Sequence, residues 1–182
     1  MRFEPLEAQD KLGRSVILRN AEESDAEELI RYMKVTAGET PFLLREPDEV
    51  RFTAEEERKF IKSCMDHPRE LMLLAVIDGC HVGNCSLMRI GDFRRHKHRC
   101  QVAVALYQEY CGAGIGEILL QTVLSQARQA GYEQAELEVV DGNANATFLY
   151  RKLGFKEYGR FPHSMKYADG HYADACWMMK QL

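Results

Sequence analysis

The sequence predicts an α/β chain with a β-α-β unit at its centre, and three observations carry that prediction. Short apolar runs of strand length alternate with stretches of helical periodicity along the chain. The clearest helical period, Gly114–Ala130, lies between two such runs, Cys100–Leu106 and Ala135–Val140. A glycine-rich turn, Cys111-Gly-Ala-Gly-Ile-Gly116, joins the first run to that helix.

Taken in order, Ser15–Asn20 reads as a strand. Ser24-Asp-Ala-Glu27 has the form of a capping box, in which the two side chains satisfy helix-start amides reciprocally. Ala26, Leu29, Ile30, Met33 and Ala37 follow at helical spacing. Thr40–Pro47 breaks the pattern with a proline at either end and reads as a loop whose apolar cluster packs on another element. A second box, Thr53-Ala-Glu-Glu56, opens a helix with Phe60, Ile61, Cys64 and Met65 on one face. Leu71–Asp78 is a strand that Gly79 turns into His81–Ile90, and the polar connection Gly91–Arg99 leads to Cys100–Leu106. The helix Gly114–Ala130 carries Ile115, Ile118, Leu119, Val123, Ala127 and Ala130, and stops at Gly131, where left-handed dihedrals favour glycine. After Ala135–Val140 come a helix over Asn145–Leu153, ended by Gly154, and two strands, Phe155–Arg160 and Tyr172–Met179.

At 182 residues the chain fits one domain, 1–182, and 46% hydrophobic content is enough for a two-layer core. The net charge of −4 excludes the basic excess of a nucleic-acid binder and favours a cationic partner. The basic run at 94–99 then reads as a solvated hairpin tip. The first residues lack the apolar run of a signal peptide, and no stretch reaches the roughly 20 apolar residues of a membrane span. A cytoplasmic protein with no membrane partner is expected, as a monomer or homodimer. Of six cysteines only Cys80 and Cys85 are close together, which is not a zinc pattern; free thiols and no metal are expected.

The glycine turn carries the chemistry. Glycines allow close backbone approach to a bulky anion, and a helix start offers unpaired amides with a partial positive charge. A phosphate or pyrophosphate suits such a turn; tight strand–helix packing is the alternative reading. The spacing matches neither the dinucleotide fingerprint nor the Walker pattern.

The turn resembles motif A of the Gcn5-related N-acetyltransferase (GNAT) superfamily, Q/R-x-x-G-x-G/A, with Gly114 and Gly116 on its glycines. Cys111 departs from the usual arginine or glutamine at the first position. Leu137–Phe155 resembles motif B through Asn143, Ala146, Tyr150, Lys152 and the pair Gly154-Phe155. The resemblance runs from about residue 15 to the end and is specific over roughly 100–160. It implies a mixed α/β fold with a mostly antiparallel sheet, splayed between the fourth and fifth predicted strands. It also implies acetyl-CoA as cosubstrate, with its pantetheine arm in the splay.

Carried over residue by residue, the resemblance implies that the Leu106 amide polarises the thioester carbonyl and that Val104 holds the pantetheine. The amides of Cys111, Gly112, Ala113, Gly114, Ile115 and Gly116 would bind the pyrophosphate. Asn143, with Ala146, would meet the cofactor arm, although Asp141-Gly142-Asn143 is also turn chemistry. Tyr150 would protonate the departing thiolate; it neighbours Leu149 and Leu153 and also suits a packing role. Glu138 matches the base of the ribosomal-protein alanine acetyltransferases, and strand alternation equally allows a solvated surface charge.

In the superfamily the acceptor usually meets the loop between the first two helices and the C-terminal hairpin. Here Glu39, Glu46, Asp48, Glu49 and Glu55–Glu57 favour a cationic amine by steering, with Phe42, Leu43 and Leu44 as a wall. Three functions follow as expectations. The first is acetyl transfer to a primary amine of a cationic small molecule. The second is acetylation of a protein N-terminus or lysine. The third is a non-catalytic acetyl-CoA-binding module.

Overall fold

Local pattern becomes architecture in the order β1 (Leu6–Gln9), β2 (Ser15–Asn20), α1 (Ala26–Glu39), α2 (Ala54–Asp66), β3 (Leu71–Ile77), β4 (Cys80–Arg89), β5 (Arg99–Leu106), α3 (Ile115–Gln129), β6 (Gln134–Val140), α4 (Ala144–Lys152), β7 (Lys156–Lys166) and β8 (Tyr172–Gln181). This is a computed structural model that describes all 182 residues. The strands form one sheet in the order β1-β2-β3-β4-β5-β6-β8-β7. Every neighbouring pair is antiparallel except β5 and β6. No helix is long and apolar enough to cross a membrane.

The continuous apolar run of β3 has a direct cause. Leu71, Leu73, Ala75 and Ile77 pack with α3, while Met72, Leu74 and Val76 pack with α1 and α2 on the other face. A strand covered on both sides loses the polar alternation of a half-exposed one. Ile115, Leu119, Leu120, Val123 and Ala127 of α3 are buried, at roughly 1.5–3 kcal/mol for each larger side chain. Asp78 and Gly79 both have positive φ, the mark of a two-residue primed turn between β3 and β4.

The parallel pair is short. Its register holds only at Arg99↔Gln134, Cys100↔Ala135 and Gln101↔Glu136; beyond these pairs β5 and β6 separate. The Arg99 guanidinium clasps the buried Glu136 carboxylate through Nε–Oε1 and through Nη2–Oε2 at 2.7 Å, and Gln134 Nε2 donates to Oε1 at 2.7 Å. This ion pair spans the three register pairs at the apex of a V, from Arg99 in the first to Glu136 in the last.

Several expectations change. The capping box at the first helix uses Glu22 and Asp25, not Ser24 and Glu27, because a short 3-10 turn over Glu23–Asp25 precedes α1. Asp25 is also held by Arg19, at 2.7 and 2.8 Å. The second box forms as expected, with Thr53 accepting from the Glu56 amide. On α1 the buried face is Ala26, Leu29, Tyr32, Thr36 and Ala37; Ile30 and Met33 are half-buried. Thr36 reaches this face by returning its hydroxyl to Tyr32 O at 2.8 Å. On α2 Glu57 is buried and Phe60 exposed. Strand β1, too short and mixed to signal itself, pairs with β2, and β7 runs on to Lys166 across a bulge.

Candidate active site

Backbone alternation decides what faces the gap between β5 and β6. The Tyr107 N–H donates to Val82 O at 3.1 Å, so Ala105 and Ala103 also turn their peptide groups to β4. Val104 and Leu106 therefore direct theirs into the gap. On the opposite wall the Asp141 N–H donates to Asp174 O at 2.9 Å, which leaves the peptide groups of Glu138 and Val140 facing inward. Leu106 is held by close packing: a β-carbon on Gly83 would lie 2.2 Å from its Cδ2 and 2.7 Å from Ala105 O. Only glycine fits beside it.

The turn after β5 supplies donors. Gly112 and Gly114 take φ of 83° and 87°, a region that favours glycine. Five consecutive N–H groups, Gly112, Ala113, Gly114, Ile115 and Gly116, have no acceptor within the protein. The Cys111 N–H is different, because it donates to Gln108 O at 3.0 Å in a 3-10 turn. Of the six residues expected to cradle an anion, Cys111 thus brings neither a free amide nor a charge. Its thiol pKa is raised, first by burial and then by Glu39.

Asn143 caps α4 by accepting from the Ala146 N–H at 3.2 Å. That realises its turn role and commits the Ala146 amide. A hollow of ≈ 280 Å³ lies against this helix start, beside Asn143, Thr147 and Phe148. Across the gap Lys152 of α4 pairs with Glu117 of α3 at 2.7 Å.

Tyr150 is 7% exposed, lies in the core on the α3 side of the sheet, and meets Phe155 edge-on with ring centroids 6.0 Å apart. Burial pushes its phenol up to about 12, and Cys85 of β4 adds to the rise. Cys85 pairs in register with Val104, so Tyr150 lies close to the β5 wall of the gap. Glu138 lies on the opposite face of β6 and is exposed. Ser164 Oγ donates to its Oε1 at 2.8 Å and Trp177 Nε1 to its Oε2 at 3.2 Å. Ser164 reaches it from the β7 bulge, where His163 has a φ of 54°. Trp177 stacks on Phe161, and both rings are partly exposed. No local sequence signal marked Ser164 or Trp177 as neighbours of Glu138.

The α1–α2 segment, Thr40–Thr53, crosses the gap. The Gln108 N–H donates to Glu39 Oε2 at 2.8 Å on the β5 side. The Phe42 ring lies 3.6 Å from where a Gly142 side chain would project on the β6 side. Tyr167, from the β7–β8 turn, donates to Pro41 O at 2.8 Å. Glu46 with Glu49 and Thr53 with Glu56 form caps, and of the acidic residues here only Glu55 pairs with a cation, Lys59 at 2.6 Å. Glu57 is buried.

The candidate site thus combines a splayed parallel pair, a turn of free amides, Tyr150 from α4 on one face of the sheet and Glu138 from β6 on the other. Residues 39–155 match the profile of the Acetyltransferase (GNAT) family. An N-alpha-acetyltransferase of Sulfurisphaera tokodaii is 29% identical over 170 residues, 90% of this chain and 92% of that one. A crystal structure of an acetyltransferase of the GNAT family from Streptococcus pneumoniae superposes with a TM-score of 0.88 at 26% identity, covering 92% of this chain and 99% of that one. The Salmonella typhimurium protein yncA, solved with its cofactor acetyl-CoA, shares the fold at a TM-score of 0.81 and 18% identity, over 92% and 94% of the two chains. The chain belongs to the GNAT acetyltransferase family and is an acetyl-CoA-dependent N-acetyltransferase.

Proposed function

We propose that this enzyme acetylates a free α-amino group at the end of a polypeptide, with Glu138 as base and Tyr150 as acid. The observation that carries the reading is the Glu138 carboxylate, exposed on the open face of β6 and oriented by Ser164 and Trp177. An ammonium arriving there meets a negative charge that can take its proton. The similarity to an N-alpha-acetyltransferase over nearly the whole chain supports a terminal amine. The acidic strap residues, of which only Glu55 has a cationic partner, steer a polypeptide ammonium as well as a small cationic amine.

The five free amides of Gly112–Gly116 bind the cosubstrate pyrophosphate, the helix start adding its positive end. Val104 and Leu106 offer backbone groups to the pantetheine and the thioester carbonyl inside the gap, and Asn143 with Ala146 borders the same arm. Glu138 takes the ammonium's first proton and passes it to solvent. The neutral nitrogen then attacks the carbonyl carbon, and the proton it sheds as the carbon–nitrogen bond forms passes to Glu138 in turn. The Leu106 N–H stabilises the oxyanion that forms. The carbon–sulfur bond then breaks, and the Tyr150 phenol protonates the thiolate. Acid and base stand on opposite faces of β6, so amine entry and thiol departure use different sides of the gap.

The test is thiol release from acetyl-CoA over a panel of free-terminus peptides, N-blocked lysine peptides and polyamines. Free-terminus peptides are expected to turn over best. Turnover confined to polyamines would move the acceptor to the small cationic class, and binding without turnover would make the chain a sensor. Glu138→Gln is expected to lower kcat/KM about 10²-fold, with acetyl-CoA affinity within about twofold of native. Native kcat/KM in Glu138→Gln removes Glu138 as base.

A further inference from the structure

The turn between β1 and β2 is built rigidly and is latched to the glycine turn. Asp10 is buried and accepts from the Leu12 and Arg14 amides, each at 2.9 Å, and from Arg14 Nε at 2.7 Å. The next residue, Lys11, donates its N–H to Ala113 O at 2.9 Å, in the middle of the five free amides. Its aliphatic stem lies on Gly114, where an added β-carbon would come within 3.1–3.3 Å of Lys11 Cγ, Cδ and Cε. The ammonium makes no ion pair. Glu117, which lines the same ≈ 210 Å³ hollow with Lys11, Gly114 and Gln121, is paired instead with Lys152 at 2.7 Å.

An unpaired cation therefore stands beside a run of unpaired amides, while Cys111 at the head of the turn adds no charge and has its own amide occupied. Backbone donors alone hold an anion by dipoles; an ammonium adds a full charge and three donors. We propose that Lys11 is a phosphate ligand for the cosubstrate, reaching the glycine turn from an element about 100 residues upstream in the sequence. The inference rests on acetyl-CoA occupying the turn. Both the pyrophosphate and the ribose 3′-phosphate have the required chemistry.

The experiment is titration calorimetry of the full chain with acetyl-CoA and with its 3′-dephospho form. Native protein is compared with Lys11→Met, which keeps the stem on Gly114, and with Lys11→Arg, which keeps the charge. Lys11→Met is expected to weaken acetyl-CoA binding roughly three- to tenfold, less so at high salt, with Lys11→Arg within about twofold of native. Equal loss with both ligands identifies the pyrophosphate as the contact; loss confined to acetyl-CoA identifies the 3′-phosphate. Native affinity in Lys11→Met for both ligands overturns the assignment, as does equal weakening in Lys11→Arg. A native protein that binds neither ligand overturns the cosubstrate reading beneath it. A thermal melt of each variant separates loss of binding from loss of fold.

Discussion

Tyr150 is carried by α4, but its environment belongs to the sheet. Burial holds the phenol at about 12, so the proton stays on throughout the ordinary pH range. An acid that must deliver a proton to a thiolate is therefore in its working form at any assay pH. The sign follows: the group loses its proton only as pH rises towards 12, so kcat shows no alkaline decline around pH 10, the unperturbed value. Tyr150→Phe is expected to lower kcat about 10²-fold with the acetyl-CoA affinity within about twofold of native. Steady-state kinetics with a separate binding measurement checks this, and full turnover at every pH would leave Tyr150 with packing alone. Its helix, its neighbours and its family match are legible in the sequence. The influence of Cys85 on it is not, because that residue belongs to β4, on the other side of the opening.

At the scale of elements, the sheet depends on how β5 and β6 begin together and then part. Arg99 and Glu136 clamp the apex, with three register pairs to hold the strands. Arg99→Met would leave a buried carboxylate without its guanidinium, at a cost of about 1–3 kcal/mol in urea unfolding. Burial pushes the Glu136 carboxyl up, but the hydrogen bonds from Arg99 and Gln134 outweigh it and leave the pKa below the usual carboxylate range. The clamp's contribution is thus present above a pH of about 4.3 and is lost as pH falls through the lower folded-state value. A native-minus-variant stability difference that stays constant as pH falls through that window would show the clamp contributes nothing electrostatic. Alternation in the sequence puts Glu136 and Glu138 on one face. It does not distinguish them, since one meets Arg99 from a parallel neighbour and the other meets Ser164 and Trp177 from a distant hairpin.

At the scale of the whole molecule, the strap Thr40–Thr53 ties the two arms of the V together. Glu39 touches the β5 side, Phe42 the β6 side, and Tyr167 joins it to the β7–β8 turn. Tyr167→Phe removes one of these ties. Amides of residues 40–52 are expected to exchange about two- to tenfold faster, the range of one hydrogen bond, with the acceptor KM raised severalfold. Hydrogen exchange and acceptor kinetics read both effects; unchanged exchange means the strap is held by its other contacts.

By itself the sequence determined the β-α-β centre, the glycine turn, the ends of α3 and α4 and the family, because these depend on residues near one another in the chain. Helical period, left-handed glycines and a strand run are local quantities. Only the tertiary structure decided which groups are free to work. It occupies the Cys111 amide, leaves the next five open, uses Glu49 and Glu56 as helix caps, and brings Lys11 to Gly114. Tyr167 and Pro41 are 126 residues apart in the chain, and Glu138 and Trp177 are 39. Hydrogen-bond and charge saturation at such separations follows from how the sheet brings its strands and turns together, and no local pattern encodes it.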